Sequence, residues 1–362
     1  MNKFAYMEEY GFEHLSLFHD KSTGLKAITC IHSTVLGPAL GGSRFWVYDD
    51  EEDAIEDALR LARGMTYKNA MAGLPLGGGK SVIMGDPKEL KKDSARREAF
   101  WRAFGRYLEG LNGRYITAED VGTSTQDMVY VNMETSHVAG LPGRSGDPSP
   151  YTALGVFHST LACCKHVWGD KNALAGKTVA VQGLGNVGAA LCKLLHDAGA
   201  KLIVTDIAQE RVDEIVKAYG AKKVALDEIY AVDCDIYAPC ALGATVNDET
   251  IPQLKCKIIC GAANNVLKDA DKHGKALADR GIIYATDYVV NAGGVINVAH
   301  EQVEGGYKEA AALRDIERIY HRVYEMLETA KATGRLTHEI ADEMAEARIN
   351  AIHNIKSIYT GK

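Results

Sequence analysis

The sequence lacks the signatures of disulfide-stabilised and metal-binding proteins. Its eight cysteines include no C-x-x-C pair, and its twelve histidines show no H-E-x-x-H spacing. Most of the cysteines lie in apolar stretches typical of strands or helices, which favours reduced thiols in the core over disulfides or metal ligands. We therefore expect no metal site.

Long apolar runs and a basic surplus are also missing. No stretch reaches the roughly 18 uninterrupted apolar residues of a transmembrane helix, and acidic residues stand near the start, where a signal peptide needs basic ones. With 41 basic and 48 acidic residues, the chain has no cationic surplus for binding nucleic acid. These absences predict a cytoplasmic protein with a small ligand and with no nucleic-acid or membrane partner.

The 362 residues, 46% of them hydrophobic, exceed what one hydrophobic core holds, since single cores stop growing near roughly 250–300 residues. The second half alternates short β-branched runs with amphipathic stretches, which favours βαβ units and a parallel sheet. The runs are TVAVQ (178–182), KLIVTD (201–206), CDIYAP (234–239), KIICGAANN (257–265) and IIYATD (282–287). We predict a doubly wound, Rossmann-type dinucleotide-binding domain over residues 141–337.

Residues 1–140 mix strands and helices less regularly and predict a separate α/β catalytic domain, with an active-site cleft between the two domains. Towards the C-terminus, apolar spacing predicts one helix over about 307–331 and another over about 338–362. The last helix needs a surface for its apolar face, so we expect it to pack back on the first domain.

A dinucleotide-binding fingerprint follows the run TVAVQ. Gly183, Gly185 and Gly188 form G-x-G-x-x-G between a strand and a helix, where the glycines allow a tight turn, close approach of a pyrophosphate and close helix–strand packing. Asp206 ends the next strand at the spacing of a carboxylate that binds the adenosine ribose. An acidic residue there repels a 2′-phosphate, so we expect NAD rather than NADP. The alternative is a glycine-rich turn with an unrelated aspartate.

The segment AGLPLGGGKS (72–81) raises the alternative of a phosphate-binding P-loop. The motif G-x-x-x-x-G-K-[ST] would need glycine at position 74, where the chain has Leu74. We instead expect the glycines at 77–79 to let backbone and substrate approach Lys80. Burial and a second cation, Lys68, would favour the neutral amine of Lys80, which could then take up a proton. The alternative is an ordinary surface lysine.

Eight ordered motifs resemble the glutamate/leucine/phenylalanine/valine dehydrogenase family, most closely its leucine-specific branch. They are GPALGGSRFW (37–46), DALRLARGMTYKNAMAGLPLGGGKS (57–81), GRYITAEDVGTS (113–124), GDPSPYTALGV (146–156), VQGLGNVG (181–188), CDIYAPCALGATVNDETIP (234–252), GAANN (261–265) and VVNAGGVINVA (289–299). The resemblance runs through nearly the whole chain. It implies a reversible NAD-dependent oxidative deamination of an amino acid to a 2-oxo acid and ammonia, by a homo-oligomer that is an octamer.

The resemblance also implies roles for individual residues. Lys80 matches the catalytic lysine and Asp120 the aspartate that exchanges protons with the substrate nitrogen, whereas Lys68 matches the lysine that binds the substrate carboxylate. The expected substrate-binding residues are Lys68, Leu40, Gly41, Met65, Ala118, Asn264, Val295 and Val298. The expected cofactor-binding residues are Thr152, Gln182, Gly183, Leu184, Gly185, Asn186, Val187, Gly188, Asp206, Cys240, Ala241, Ala262, Asn264 and Asn291.

The expected substrate pocket is aliphatic. Leu40 and Val298 match positions where the glutamate-specific branch carries a lysine and a serine, and Ala118 and Val295 complete the wall. An apolar wall disfavours a charged side chain and predicts leucine, valine and isoleucine as substrates. A phenylalanine- or valine-preferring enzyme of the same family is one alternative. A sensor that only binds NAD is another, although it would not need the two lysines together with Asp120.

Overall fold

The computed structural model describes residues 2–355, which form two compact units. The first unit contains residues 2–146, 298–307 and 345–355, and the second contains residues 147–297 and 308–344. The N-terminal segment of the first unit ends at residue 146, whereas the sequence predicts a boundary at residue 140. The first unit also includes the segment 298–307, which the sequence pattern places in the second domain. The end of the expected last helix, 356–362, lies outside the described residues. The predicted fold class, two α/β units of which one is of the Rossmann type, is confirmed.

Five strands form the mixed sheet of the first unit. They are β1 (His14–Asp20), β2 (Leu25–Ser33), β3 (Ala39–Trp46), β4 (Gly77–Met84) and β5 (Tyr115–Glu119). Their order is β1-β2-β4-β3-β5, in which β1 pairs antiparallel with β2 and β2 with β4, whereas β3 is parallel to both β4 and β5. The carboxyl ends of β3, β4 and β5 therefore meet at one edge of the sheet.

Helices cover both faces of this sheet. They are α1 (Lys3–Tyr10), α2 (Glu51–Met71), α3 (Pro87–Leu90), α4 (Ser94–Glu109) and α5 (Thr125–Asn132). The Asp50 side chain caps α2 by accepting the N–H of Asp53, and acidic residues in the first turn favour the same helix end. α2 buries Ile55 in the cluster that contains Val82, whereas α4 buries Trp101 in the cluster that contains the next residue of β4, Ile83.

The glycines at 77–79 lie inside β4 and serve close packing. A Cβ atom on Gly78 would lie 2.0 Å from the backbone nitrogen of Thr66 on α2, and a Cβ atom on Gly79 would lie 2.8 Å from the ring of Tyr115. Gly78 thus allows the close backbone approach that the sequence predicts, whereas the approach of a substrate to this run stays a prediction. Because the run belongs to a strand and not to a loop that opens a helix, the structure excludes the P-loop alternative.

Six parallel strands form the sheet of the second unit. They are β6 (Thr178–Gln182), β7 (Lys201–Thr205), β8 (Lys222–Lys223), β9 (Ile236–Pro239), β10 (Ile258–Ile259) and β11 (Ile283–Tyr284). Their order is β11-β10-β9-β6-β7-β8. From β6 the chain continues through β7 to β8 at one edge of the sheet. It then returns to form β9 on the other side of β6. The switch point of this doubly wound sheet thus lies between β6 and β9, and ligands of such sheets bind at the carboxyl ends of the strands at this point.

The remaining helices are α6 (Ser149–Trp168), α7 (Asn186–Asp197), α8 (Gln209–Tyr219), α9 (Ala270–Asp279), α10 (Asp287–Val290), α11 (Gly293–Ala299), α12 (Glu309–Glu317), α13 (Ile319–Thr333) and α14 (Thr337–Ile355). The single helix expected over about 307–331 is divided into α12 and α13. The N–H of Arg318 donates to the Asp315 carbonyl three residues earlier, so the helix tightens at this point.

Helix α14 begins in the second unit and ends in the first. In the first unit, Arg348 donates to the carbonyl oxygens of Ala70 at 2.8 Å and Leu74 at 2.7 Å, and the Tyr67 hydroxyl donates to Glu346 at 2.7 Å. The two bonds from Arg348 satisfy backbone carbonyls in the last turn of α2 and just after it. Among residues 2–355, no helix has the length and apolar character needed to cross a membrane.

Candidate functional site

Lys80 and Asp120 form an ion pair in the first unit. Lys80 lies in the middle of β4, and Asp120 is the first residue after β5. The Nζ atom of Lys80 lies 2.8 Å from Oδ2 of Asp120, and only 6% of the lysine side chain is exposed. Two residues 40 positions apart in sequence, both named from the sequence, are therefore in direct contact.

Several expected substrate-binding residues lie on the same face of this sheet. Leu40 pairs with Gly78 on one side and with Ile116 on the other. Because side chains alternate along a strand, Leu40 shares its face with Lys80, two residues after Gly78, and with Ala118, two residues after Ile116. The structure therefore places Leu40, Lys80 and Ala118 on one face of three neighbouring strands.

Helix α2 adds further expected residues. The Cγ atom of Met65 lies 3.2 Å from the position that a Cβ atom would take on Gly41. Lys68 follows one helical turn after Met65 and is half-buried. Val298 is buried in the first unit, where its Cγ1 atom lies 3.6 Å from a Cβ position on Gly140, whereas Val295 belongs to the second unit.

Arg44 is a component of this site that the sequence analysis missed. Its Nε atom donates to Oδ2 of Asp120 at 3.2 Å, and its terminal nitrogen donates to Oδ2 of Asp57 at 2.9 Å. Burial would raise the pKa of Asp120, but the positive charges of Lys80 and Arg44 outweigh burial and lower it to about 2. Asp120 is therefore an ionised carboxylate at neutral pH. The motif GPALGGSRFW contains Arg44, but nothing in its local pattern shows that this residue contacts Asp120.

The electrostatic setting of Lys80 differs from the expected one. We expected burial and a neighbouring cation to favour the neutral amine, and the lysine is indeed buried. Its nearest charged partner, however, is the carboxylate of Asp120. Opposite charges at this distance stabilise each other's ionised forms. The structure thus adds a carboxylate partner to the surroundings expected for Lys80.

The three glycines of the fingerprint in the second unit have three distinct surroundings. Gly183 has a φ of 95°, a left-handed conformation that favours glycine, and a Cβ atom on it would lie 2.7 Å from Cβ of Ala241. A Cβ atom on Gly188 would lie 2.0 Å from the Gly183 carbonyl oxygen, so this glycine permits close packing of α7. Beside Gly185, the nearest atom to a Cβ position is a guanidinium nitrogen of Arg211 at 4.0 Å. The middle glycine is therefore open on the side where a pyrophosphate would approach.

Asp206 follows β7 and holds the glycine loop. Its Oδ2 atom accepts the backbone N–H of Leu184 at 2.5 Å, and its Oδ1 atom accepts that of Ala208 at 2.7 Å. Since a carboxylate has about four acceptor positions, these bonds leave room for a ribose hydroxyl. The aspartate therefore has a structural role in the loop besides the binding role expected from sequence.

Another group of expected residues surrounds the GAANN turn. The Asn291 side-chain amide donates to the Ala262 carbonyl at 3.1 Å and to Oδ1 of Asn264 at 2.7 Å. The loop after β9, which contains Cys240 and Ala241, approaches this turn, because a Cβ atom on Gly243 would lie 2.7 Å from the Asn264 carbonyl oxygen. Residues from three separate motifs thus meet at the carboxyl edge of the parallel sheet.

Four further residues expected to bind the cofactor differ in how far their side chains are exposed. The Gln182 side chain lies in an internal network, in which its amide donates to Tyr230 at 2.8 Å and its oxygen accepts from Tyr237 at 2.5 Å. The side chain of Leu184 is buried, whereas Asn186 is exposed and Val187 half-buried. The Gln182 side chain is therefore engaged in hydrogen bonds within the second unit, and that of Leu184 packs in its interior.

Thr152 lies near the start of α6 and packs against the NAGGV motif. Its hydroxyl donates to the Pro148 carbonyl at 3.1 Å, and a Cβ atom on Gly294 would lie 2.4 Å from the same hydroxyl oxygen. Within residues 2–355, no group of three or more His, Cys, Asp or Glu side chains is arranged to hold a metal ion.

Models of one protein family match almost the whole chain. The model described as "Glu/Leu/Phe/Val dehydrogenase, dimerisation domain" matches residues 14–137. The model described as "Glutamate/Leucine/Phenylalanine/Valine dehydrogenase" matches residues 143–208 and 204–358. Both units therefore have counterparts in this family.

Individual relatives agree with these matches. The chain is 55% identical to a leucine dehydrogenase of Thermoactinomyces intermedius, covering 99% of this chain and 96% of the relative. It is 56% identical to a leucine dehydrogenase of Bacillus cereus, covering 98% of this chain and 96% of the relative. Among solved structures, an L-tryptophan dehydrogenase from Nostoc punctiforme is 43% identical, with a TM-score of 0.85 and coverage of 97% of this chain and 99% of that chain.

Proposed function

The chain belongs to the Glu/Leu/Phe/Val dehydrogenase family, and from this premise we propose that it catalyses the NAD-dependent, reversible oxidative deamination of leucine, valine and isoleucine. The products are the corresponding 2-oxo acids and ammonia. The observation that carries the proposal is the buried ion pair of Lys80 and Asp120. Its lysine shares a sheet face with Leu40 and Ala118. The chain is also at least 54% identical to several leucine dehydrogenases.

The second unit fits a dinucleotide. The open side of Gly185 lies at the N-terminus of α7, whose cap has no side-chain hydrogen bond, and the backbone N–H groups of such a helix end favour a pyrophosphate. Asp206 at the end of β7 favours NAD, because its charge would oppose a 2′-phosphate. The residues that would hold the cofactor are the loop 183–188, Asp206 and the cluster of Asn264 with Asn291. When bound, the nicotinamide accepts the hydride that leaves the substrate Cα.

Lys80 and Asp120 supply the proton transfers in the proposed mechanism. Lys68 holds the substrate carboxylate, as the family resemblance implies. Lys80 assists the addition of water to the imino acid, and Asp120 carries protons to and from the nitrogen until ammonia leaves. The Nζ atom of Lys80 and Oδ2 of Asp120 lie 2.8 Å apart, so a proton can pass directly between the two side chains.

The apolar surroundings account for the proposed substrate class. Leu40 is 1% exposed and Val298 is 7% exposed, and neither can hydrogen-bond to a side-chain carboxylate. A glutamate side chain would lose its hydration without gaining a partner. Since one methylene in an apolar pocket changes the free energy of binding by only about 1–3 kcal/mol, the aliphatic substrates should differ modestly.

We further propose that the enzyme is a homo-oligomer. The family model that matches residues 14–137 is described as a dimerisation domain. An octamer, as the resemblance implies, would give a mass near eight times 39.2 kDa in solution. Light scattering of the purified protein distinguishes an octamer from a dimer or hexamer.

Initial rates of NAD reduction test the proposed activity. We expect similar kcat/KM for leucine, valine and isoleucine, low values for phenylalanine and tryptophan, and almost none for glutamate. Tryptophan is included because one relative of known structure is an L-tryptophan dehydrogenase. A kcat/KM for an aromatic amino acid or for glutamate that equals that for leucine contradicts the proposed substrate class. Binding of NADH without any amino-acid-dependent reduction of NAD would instead indicate a sensor.

Two substitutions test the proposed pocket wall. Val295→Ala and Val298→Ala should each enlarge the pocket and raise the ratio of phenylalanine to leucine activity. Val303→Ala is the matched control, because Val303 is 52% exposed. An unchanged ratio in both pocket variants would remove these valines from the substrate site.

A further inference from the structure

Arg44 lies in a row of alternating charges that connects the candidate active site with the surface of the first unit. The row runs from Lys80 through Asp120, Arg44 and Asp57 to Arg60, with contacts of 2.8, 3.2, 2.9 and 2.7 Å. The lysine side chain at one end is 6% exposed, and the Arg60 side chain at the other end is 49% exposed. Only Lys80 and Asp120 of this row have a role in the proposed mechanism.

The two positively charged side chains that contact Asp120 are unevenly distributed over its carboxylate oxygens. Lys80 and Arg44 both approach the same oxygen, Oδ2. A carboxylate whose one oxygen is held from two directions cannot rotate about its Cβ–Cγ bond without losing both partners. Its other oxygen, Oδ1, therefore keeps a fixed direction.

Arg44 is itself held rigidly at its far end. Its terminal nitrogen donates to Oδ2 of Asp57, which also accepts the hydroxyl hydrogen of Tyr48 at 2.6 Å. The other oxygen of Asp57 accepts from Arg60. Because guanidinium is planar with donors in a fixed fork, anchoring one donor on α2 orients the Nε–H towards Asp120.

We propose that Arg44 is a positioning residue of the deamination reaction: it holds Oδ2 of Asp120 so that Oδ1 faces the substrate nitrogen as the proton-exchanging atom. The inference rests on the proposed function. Lys80 cannot do this alone, since its ammonium sits on a flexible chain and takes part in the proton transfers. Arg44 stays charged throughout, so Asp120 keeps one constant partner while the charge on Lys80 changes.

The fork geometry distinguishes positioning from a simple charge effect. Lysine in place of Arg44 would keep one positive charge, but a single ammonium cannot supply two donors in the fixed directions of Asp57 and Asp120. If Arg44 acts by geometry, Arg44→Lys should restore only part of the activity that Arg44→Gln loses. If it acts by charge alone, Arg44→Lys should restore all of it.

The test compares Arg44→Gln, Arg44→Lys and the control Arg106→Gln in the full-length enzyme, since the Arg106 side chain is 72% exposed and pairs with Glu134, outside the row. A misplacement of about 1 Å at a reacting group costs roughly 10²-fold in rate, so we expect kcat to fall about 10²-fold in Arg44→Gln. Arg44→Lys should have a kcat about tenfold higher than that of Arg44→Gln, and Arg106→Gln should keep the wild-type kcat. KM for leucine and NADH affinity, measured by fluorescence, should change less than threefold in all three, because neither ligand is held by Arg44.

Each outcome decides the inference. A kcat in Arg44→Gln above about a third of the wild-type value, or full recovery in Arg44→Lys, overturns it. If Arg44→Gln does not fold, Asp57→Asn replaces it: this variant weakens the anchor of Arg44, should lower kcat about tenfold, and overturns the inference if kcat is unchanged. An inactive wild-type enzyme would refute the proposed function, whereas an active wild type with an active Arg44→Gln variant refutes only the positioning role.

Discussion

A Cβ atom on Gly42 would lie 2.9 Å from Cβ of Asp120. It would also lie 2.7 Å from the backbone carbonyl oxygen of Glu119. Gly42 pairs with Ala118 on β5, so the missing side chain of Gly42 makes the space in which Asp120 turns back towards Lys80. The contact between Lys80 and Asp120 thus depends on a glycine that carries no chemistry itself.

We expect Gly42→Ala to lower kcat about 10²-fold, because the segment at 119–120 must shift and a misplacement of about 1 Å costs that much. The matched control is Gly64→Ala on α2, where a Cβ atom would meet nothing within 4 Å. This control should raise the free energy of unfolding by about 0.5–1 kcal/mol and leave kcat unchanged. If the Gly42→Ala variant has the same kcat as the wild type, Asp120 tolerates displacement and the prediction is wrong.

Lys80→Ala should lower kcat by about 10²–10⁴-fold, the usual contribution of a general acid–base group. NADH affinity should remain unchanged, because Lys80 and the glycine loop belong to different units. Steady-state rates and NADH fluorescence titration measure the two effects separately. Lys26→Ala, at an exposed position of β2, serves as the control. A variant that kept more than about a tenth of the wild-type kcat would remove Lys80 from the chemistry.

The wild-type enzyme should prefer NAD strongly to NADP, and Asp206→Ala should reduce the ratio of their kcat/KM values. The structure adds that KM for NAD should rise as well, because the Leu184 N–H loses its acceptor in the glycine loop. Asp213→Ala on α8, where the side chain is 59% exposed, should change neither value. Equal kcat/KM for NAD and NADP in the wild type would exclude Asp206 as a determinant of cofactor choice.

Stability should depend on pH through Asp120. Its pKa is about 2 in the folded protein and 3.8 in a free side chain, so its contribution is present above about pH 4 and is lost as the pH falls towards 2. Between pH 6 and pH 3, the wild type should lose about 1 kcal/mol more stability than Asp120→Asn. Urea unfolding of both proteins at the two pH values measures this difference. Equal losses would mean that the carboxylate is not stabilised by Lys80 and Arg44.

The sequence by itself determined the two α/β units, the glycine loop of the second unit and the identity of the paired residues Lys80 and Asp120. Periodicity and glycine spacing are local properties, so the run TVAVQ predicted β6 at its observed bounds. The family resemblance identified Lys80 and Asp120 as the catalytic residues. Their contact, however, depends on β3, which lies between β4 and β5 in the sheet but precedes both in sequence.

Only the tertiary structure decided which side chains these elements bring together. Gly78 and Gly79 accommodate α2 and Tyr115, two tyrosines hydrogen-bond to the Gln182 side chain, and Arg44 contacts Asp120. Each of these contacts joins segments that are distant in sequence. Strand order and register set such contacts, and they result from the packing of the whole sheet rather than from any local pattern.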